Sequence, residues 1–271
     1  LSDPNALIQD IMHEEVISVK AEEDQEVAAR TIQKYDLIAL PVVDDHGVLV
    51  GIITHDDAVD IITQEQTEDL EKLMAIAGAH EAEGYMKTST WEHFKRRAVW
   101  VVALAALGLV SGSIIHSFED TLMKLMILAL YMPMVADTGG NTGSQTATVV
   151  VRALALREIG PKDFFKILFK EIRIGLLLGL ILGVFAFGKV LFLSQGTYIP
   201  PGFTLERIGI AIAVALGLQV VSSAIVGASL PLLAAFMKAD PAVVASPALT
   251  TVVDVTGLLI YFTSAKYILG L

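Results

Sequence analysis

Apolar and polar positions divide the 271-residue chain into two regimes. From Val16 to about Ile62 the apolar positions come in short, β-branched bursts around one helical stretch. The order is Val16 to Val19, a helical Asp24 to Tyr35, Ala39 to Val43, the turn Asp44-Asp45-His46-Gly47, Val48 to Ile53, and a helix opening at Thr54. Short apolar runs on both sides of a polar turn predict a half-buried hairpin, so this part reads as a compact βαββα unit. Helical signals continue from Asp56 through about Met86. Beyond them lie five apolar spans: Ala98 to about Ile115, Leu122 to Val151, about Ile174 to Leu193, Ile208 to Phe236 and Val243 to Leu269. Segments of this length and apolarity match a hydrocarbon core about 30 Å thick. The expected fold is an α-helical polytopic membrane protein with five transmembrane helices and a small α/β head. Its expected divisions are a head at 1–64, a linking helix at 65–90 and a transmembrane domain at 91–271.

The second span differs from the rest. Pro133 to Arg152 forms a polar, glycine-rich island between apolar runs, and polar groups at bilayer depth are tolerated only where they face protein or a water-filled cavity. A pathway lining is the direct reading. A helix from Leu122 to Val151 would be roughly 45 Å long at about 1.5 Å per residue, so it is expected to tilt, to break between Pro133 and Gly143, or to project from the membrane.

Charge sharpens this division. Through Thr90 there are 20 acidic residues against 5 basic ones, and beyond it 10 against 14. So acidic a head argues against nucleic acid, whose phosphates demand a basic surface. No cysteine is present, which excludes disulfides and thiolate metal sites. The chain opens at Leu1 without an initiator Met or a signal-peptide pattern and reads as a fragment. Lys95, Arg96 and Arg97 precede the first span, and Arg152, Arg157, Lys162, Lys166, Lys170 and Arg173 separate the second from the third, whereas Ser194 to Glu206 has no basic residue. Basic loops stay in the cytoplasm. The head is therefore expected inside and the C-terminus outside.

Two carboxylates fall within spans, Asp137 and Asp254, and an intramembrane ionisable residue is a functional candidate by default. On a helix Asp254 shares its face with Pro247, Thr250, Thr251 and Gly257. Asp137 could instead cap the glycine segment. A rival reading pairs the two as an intramembrane aspartyl protease, since Asp137-Thr138-Gly139 spells an aspartic-protease signature, but the flanks are membrane-helix sequence and Val253-Asp254-Val255-Thr256-Gly257 lacks the order of the intramembrane enzymes. A pure sensor has no use for a polar island at that depth. Along the linking helix, acids at Asp57, Asp60, Glu65, Glu68, Asp69 and Glu71 recur at helical spacings and repel one another; they form either a solvated face or weak cation sites without the EF-hand pattern. Gly175, Gly179 and Gly183 recur every fourth residue and predict close helix packing, and Lys189 is expected to snorkel to the interface. No Gly-x-x-x-x-Gly-Lys loop is present, so conduction down a gradient is expected rather than pumping.

Residues Ala39 to Asp44 followed by Gly51-Ile52-Ile53-Thr54-His55-Asp56-Asp57 resemble one cystathionine-β-synthase (CBS) motif, a module that pairs in its family. A lone motif would leave its apolar sheet surface exposed. Asp137-Thr138-Gly139-Gly140-Asn141-Thr142-Gly143-Ser144-Gln145-Thr146-Ala147-Thr148, with Arg152 to Ala155, Asp240-Pro241, Pro247-Ala248 and Asp254 ahead of Gly257 to Phe262, resembles the MgtE family of magnesium channels over the whole chain. The resemblance implies a homodimer in the cell membrane with Mg2+ as its cargo and an ion path between the subunits, lined by the second and fifth membrane helices. It makes Asp254 the pore aspartate, Thr250 a carbonyl-facing position, Ser246 a polar lining residue, and Gly140, Asn141, Ser144 and Thr148 pore-facing; Ser144 departs from relatives that carry Asn. It places Asp57, Asp60, Glu65, Glu68 and Asp69 at magnesium-sensing positions and likens the helix after Glu65 to a plug. Adenosine nucleotide binding is implied only for a complete CBS pair. Such a pore would read hydrated Mg2+, which dehydrates reluctantly, through carboxylate and carbonyl oxygens.

Overall fold

A computed structural model describes residues 7, 12, 15–76, 85–244 and 247–271. The chain forms two compact units that divide between Asp69 and Leu70.

In the first unit a three-stranded sheet is ordered β1 (Val19–Lys20), β2 (Ala39–Val43), β3 (Leu49–Thr54). Strand β1 runs parallel to β2, with Val19 opposite Val42, and β2 pairs antiparallel with β3, with Leu40 opposite Ile53. The crossover is α1 (Gln25–Tyr35), whose N-cap Asp24 accepts from the Glu26 amide at 2.8 Å. In the hairpin turn Asp44 accepts from the amides of His46 (2.9 Å) and Val48 (2.8 Å), and Gly47 takes the left-handed conformation. Val19, Ala28, Ala29, Ile32, Leu40 and Ala58 make the small core. Leu49, Val50 and Ile52 of β3 stay exposed, the apolar sheet surface foreseen for a lone motif. The first strand is two residues rather than four.

Helix α2 (His55–Leu73) ends at Leu73; of the stretch expected to be helical through Met86, residues 77–84 lie outside the described residues. Ala75 adopts φ 54°, the Ile76 amide donates to Glu71 O at 2.9 Å and the Ala75 amide to Lys72 O at 3.0 Å. That pair of bonds is a Schellman motif, which satisfies the last carbonyls and turns the chain away.

The second unit holds α3 (Thr90–Ser117), a short α4 (Glu119–Lys124), α5 (Ile127–Ala155), α6 (Phe164–Leu193), α7 (Leu205–Phe236) and α8 (Pro247–Leu269). Helices α3, α6, α7 and α8 are long and apolar enough to cross a membrane. Helix α5, the second of the five expected spans, is not among these four; it is 29 residues long and carries the polar island. It does not break there: Pro133 lies inside a continuous helix, and the chain bends earlier, at Leu125–Met126 between α4 and α5. An unbroken helix satisfies the island's backbone internally, leaving only side chains to be accounted for.

Helices α6 and α7 pack along the predicted glycine stripe. A Cβ at Gly175 would lie 3.1 Å from Val221 Cα, at Gly179 3.0 Å from Gly217 O, and at Gly183 3.2 Å from Ala213 O. Where α5 begins and α8 finishes, the helices are tied by Tyr261 Oη donating to Leu128 O (2.7 Å), by the Tyr131–Ser194 hydroxyl pair (2.7 Å) and by Arg207 donating twice to Ile268 O at the end of α8. Lys189 is half-buried, and its ammonium lies 3.7 Å from Met134 Sδ on α5.

Candidate functional site: the α5–α8 face

The polar island occupies one face of α5. Asp137, Asn141, Gln145 and Thr148 are exposed and Ser144 is half-buried, as spacings of three and four dictate. The opposite face is glycine and small residues, and it is fully packed. Gly140 is buried with its missing Cβ 3.4 Å from Thr250 Cγ2, and a Cβ at Gly143 would lie 3.2 Å from Val253 Cγ2. Two predicted lining helices therefore meet, and Gly140 meets Thr250 as packing partners. Asp254 is half-exposed on α8. Neither Asp137 nor Asp254 makes a side-chain hydrogen bond or ion pair with a described residue. Thr142, Thr148 and Thr251 bond carbonyls of their own helices at 2.8, 2.8 and 3.1 Å. Ser246 lies outside the described residues.

Three polar residues behind this face escaped the sequence reading. Gln219 on α7 is 0% exposed, and its Nε2 donates to Val253 O at 2.9 Å. Ser223, one turn along, is also 0% exposed. Gln219 Oε1 and Ser223 Oγ have no partner among the described residues. Glu171 on α6 is 8% exposed and accepts from Thr146 Oγ1 at 3.4 Å. Gln219 stood out as a lone amide in a 32-residue apolar helix, a signal that was available. Glu171 was masked by its basic neighbours Lys170 and Arg173.

Where α5 finishes and α8 begins, Lys72 Nζ pairs with Asp240 Oδ2 at 2.8 Å, and Leu73 packs on Ala147, Val151, Ala242, Leu249 and Val253. The end of α2 is thereby seated where α5 and α8 converge. The acids upstream have mixed employment. Asp57 accepts from both the amide (3.2 Å) and hydroxyl (2.6 Å) of Thr54, closing the N-terminus of α2, and Glu65 accepts from Gln25 Nε2 at 2.7 Å. Asp60 is exposed, and Glu68 and Asp69 are half-buried. No trio of acidic or histidine side chains converges among the described residues.

The family model described as "MgtE: Divalent cation transporter" matches residues 132–264, the stretch holding the α5 face and Asp254, and a CBS domain model matches 8–64. Three proteins called "Magnesium transporter MgtE" are similar over nearly the whole chain. They are those of Thermus thermophilus (39% identical, 99% of this chain), Bacillus subtilis (37%, 97%) and Enterococcus faecalis (32%, 98%). The chain belongs to the MgtE family. It spans 57%, 55% and 56% of the lengths of these relatives. The description of the matching family model names a transporter and not an enzyme, so nothing in these comparisons supports the protease reading of Asp137 and Asp254.

Proposed function

We propose that the chain conducts Mg2+ into the cell along a path between two copies, lined by α5 and α8 of each. The observation that carries this reading is the exposed polar face of α5, with the half-exposed Asp254 of the adjoining helix making no side-chain bond to a described residue. A single copy would present that face to lipid, which cannot solvate it; a second copy across a twofold axis would enclose it. The axis would bring two Asp254 carboxylates to one aqueous site, and Thr250, Ser246, Asn141, Ser144, Thr148 and Asp137 would add oxygens along the path. Held through its water shell, Mg2+ escapes the dehydration cost that direct ligation imposes. The head lies in the cytoplasm and the C-terminus outside, as the basic loops require. Magnesium at Asp57, Asp60, Glu65, Glu68 and Asp69 would relieve their repulsion and favour the closed state, with the end of α2 as the plug. Adenosine nucleotide would bind only where a second CBS motif completes the pair.

Flux of Mg2+ into vesicles carrying the chain tests the proposal. Asp254→Ala should abolish flux while leaving yield and the dimer intact, and Asp254→Asn should keep hydrogen bonding but conduct poorly. Unchanged flux in Asp254→Ala would remove the pore assignment.

A further inference from the structure

We infer that Gln219, on a helix outside the proposed lining, is a positioning residue that fixes where α8 presents Asp254 and how far α8 stands from α5. This deepens the channel reading and rests on it. A buried amide in an apolar membrane helix is costly unless it bonds, and Gln219 makes its bond to Val253 O. That carbonyl belongs to the peptide group joining Val253 to Asp254, so the bond holds the backbone that carries the carboxylate. Thr256 Oγ1 lies between Val252 O (3.0 Å) and Val253 O (3.1 Å) with one proton to share between them, so Gln219 is the dedicated side-chain donor to this peptide.

Both neighbouring helices are shaped around the amide. A Cβ at Gly257 of α8 would lie 2.5 Å from Gln219 Nε2, and one at Gly139 of α5 would collide with the same atom. Gln219 therefore fills a slot made by two glycines on the two proposed lining helices and sits as a spacer between them. Gly143 adds to the same joint, since a Cβ there would meet both Val253 Cγ2 and Ser223 O. Apolar packing alone would fill such a slot with a hydrocarbon side chain. A donor aimed at the Val253 carbonyl specifies one rotation and one height of α8 instead.

The test measures Mg2+ flux against Mg2+ concentration in vesicles carrying the chain, beside Asp254→Ala. Gln219→Met keeps length and volume but removes the donor; it should raise the half-saturating Mg2+ concentration at least about tenfold at unchanged membrane yield. Packing alone would lower yield and leave half-saturation where it was. Gln219→Glu supplies an independent readout. While protonated, the introduced carboxyl can donate to Val253 O; once ionised it sets a charge against that carbonyl. Its flux relative to the unsubstituted chain should therefore be near normal at low pH and fall as pH rises. Wild-type half-saturation in Gln219→Met, or a ratio for Gln219→Glu that is flat with pH, would overturn the inference, and the pH ratio alone decides should Gln219→Met fail to reach the membrane. If Asp254→Ala conducts normally, the channel reading itself has failed; if only the Gln219 variants behave as wild type, that reading survives.

Discussion

Glycines in this chain do opposite jobs that one substitution separates. Gly179 sits 3.0 Å, by its missing Cβ, from a backbone oxygen of α7, whereas nothing lies within 4 Å of that position at Gly188 on the same helix. Gly179→Ala must push α6 and α7 apart and should destabilise the membrane unit by about 1–3 kcal/mol, the usual range for overpacking. Gly188→Ala should be stabilising by roughly 0.5–1 kcal/mol, since an unstrained helical glycine only adds entropy to the unfolded chain. Thermal unfolding in detergent of both variants checks the pair, and equal shifts would refute the packing assignment. The stripe at Gly175, Gly179 and Gly183 was legible because its period alone marks a helix face. Gly139 and Gly257 were not legible in that way, because what they accommodate is a side chain from a third helix some eighty and forty residues distant in sequence.

Among whole elements, local patterning carried the head: β2 and α1 fall within a residue of their expected bounds because alternation, the Asp24 cap and the Asp44 turn are all encoded within a few positions. Where helices end is less local. The acidic stretch reads as helical through Met86, yet α2 stops at Leu73 because Ala75 turns left-handed, a conformation that an alanine does not advertise. Glycine and proline in α5 suggested a break that its packing overrides; Gly139, Gly140 and Gly143 serve close approach to α7 and α8. The seat of α2's end yields a prediction at this scale. Lys72 and Asp240 are both partly exposed, so their pairing contributes at most about 1 kcal/mol after solvent screening. Lys72→Ala or Asp240→Ala should raise flux at saturating internal Mg2+ by up to roughly fivefold without altering half-saturation. Vesicle flux with Mg2+ on the inner side measures it, and unaltered flux in both variants would mean that the pair is not part of the closed state.

For the whole molecule, the proposed orientation and the proposed regulation both rest on where charge lies along the chain. A cysteine placed at Gly196, in the loop without basic residues, should react with an impermeant thiol reagent from outside the cell, and one at Lys162 should not; the reverse pattern would invert the proposed topology.

Regulation can be separated from structure because the five acids are not equivalent. Asp57 closes the N-terminus of α2 through Thr54, and Glu65 is held by Gln25, whereas Asp60 is exposed and makes no side-chain bond to a described residue. Asp57→Ala should thus weaken the head by about 1 kcal/mol, as loss of a cap does, whether or not Mg2+ is present. Asp60→Asn should leave head stability unchanged and reduce only the response to internal Mg2+. The response itself needs little energy. Moving the closed-to-open ratio tenfold takes about 1.4 kcal/mol of differential binding, within reach of several weak carboxylate sites acting together. Neutralising Asp57, Asp60, Glu65, Glu68 and Asp69 together should flatten the dependence of open probability on internal Mg2+, read by patch clamp beside the unsubstituted chain. Superimposable curves would leave these acids as a solvated face and move magnesium sensing elsewhere in the molecule.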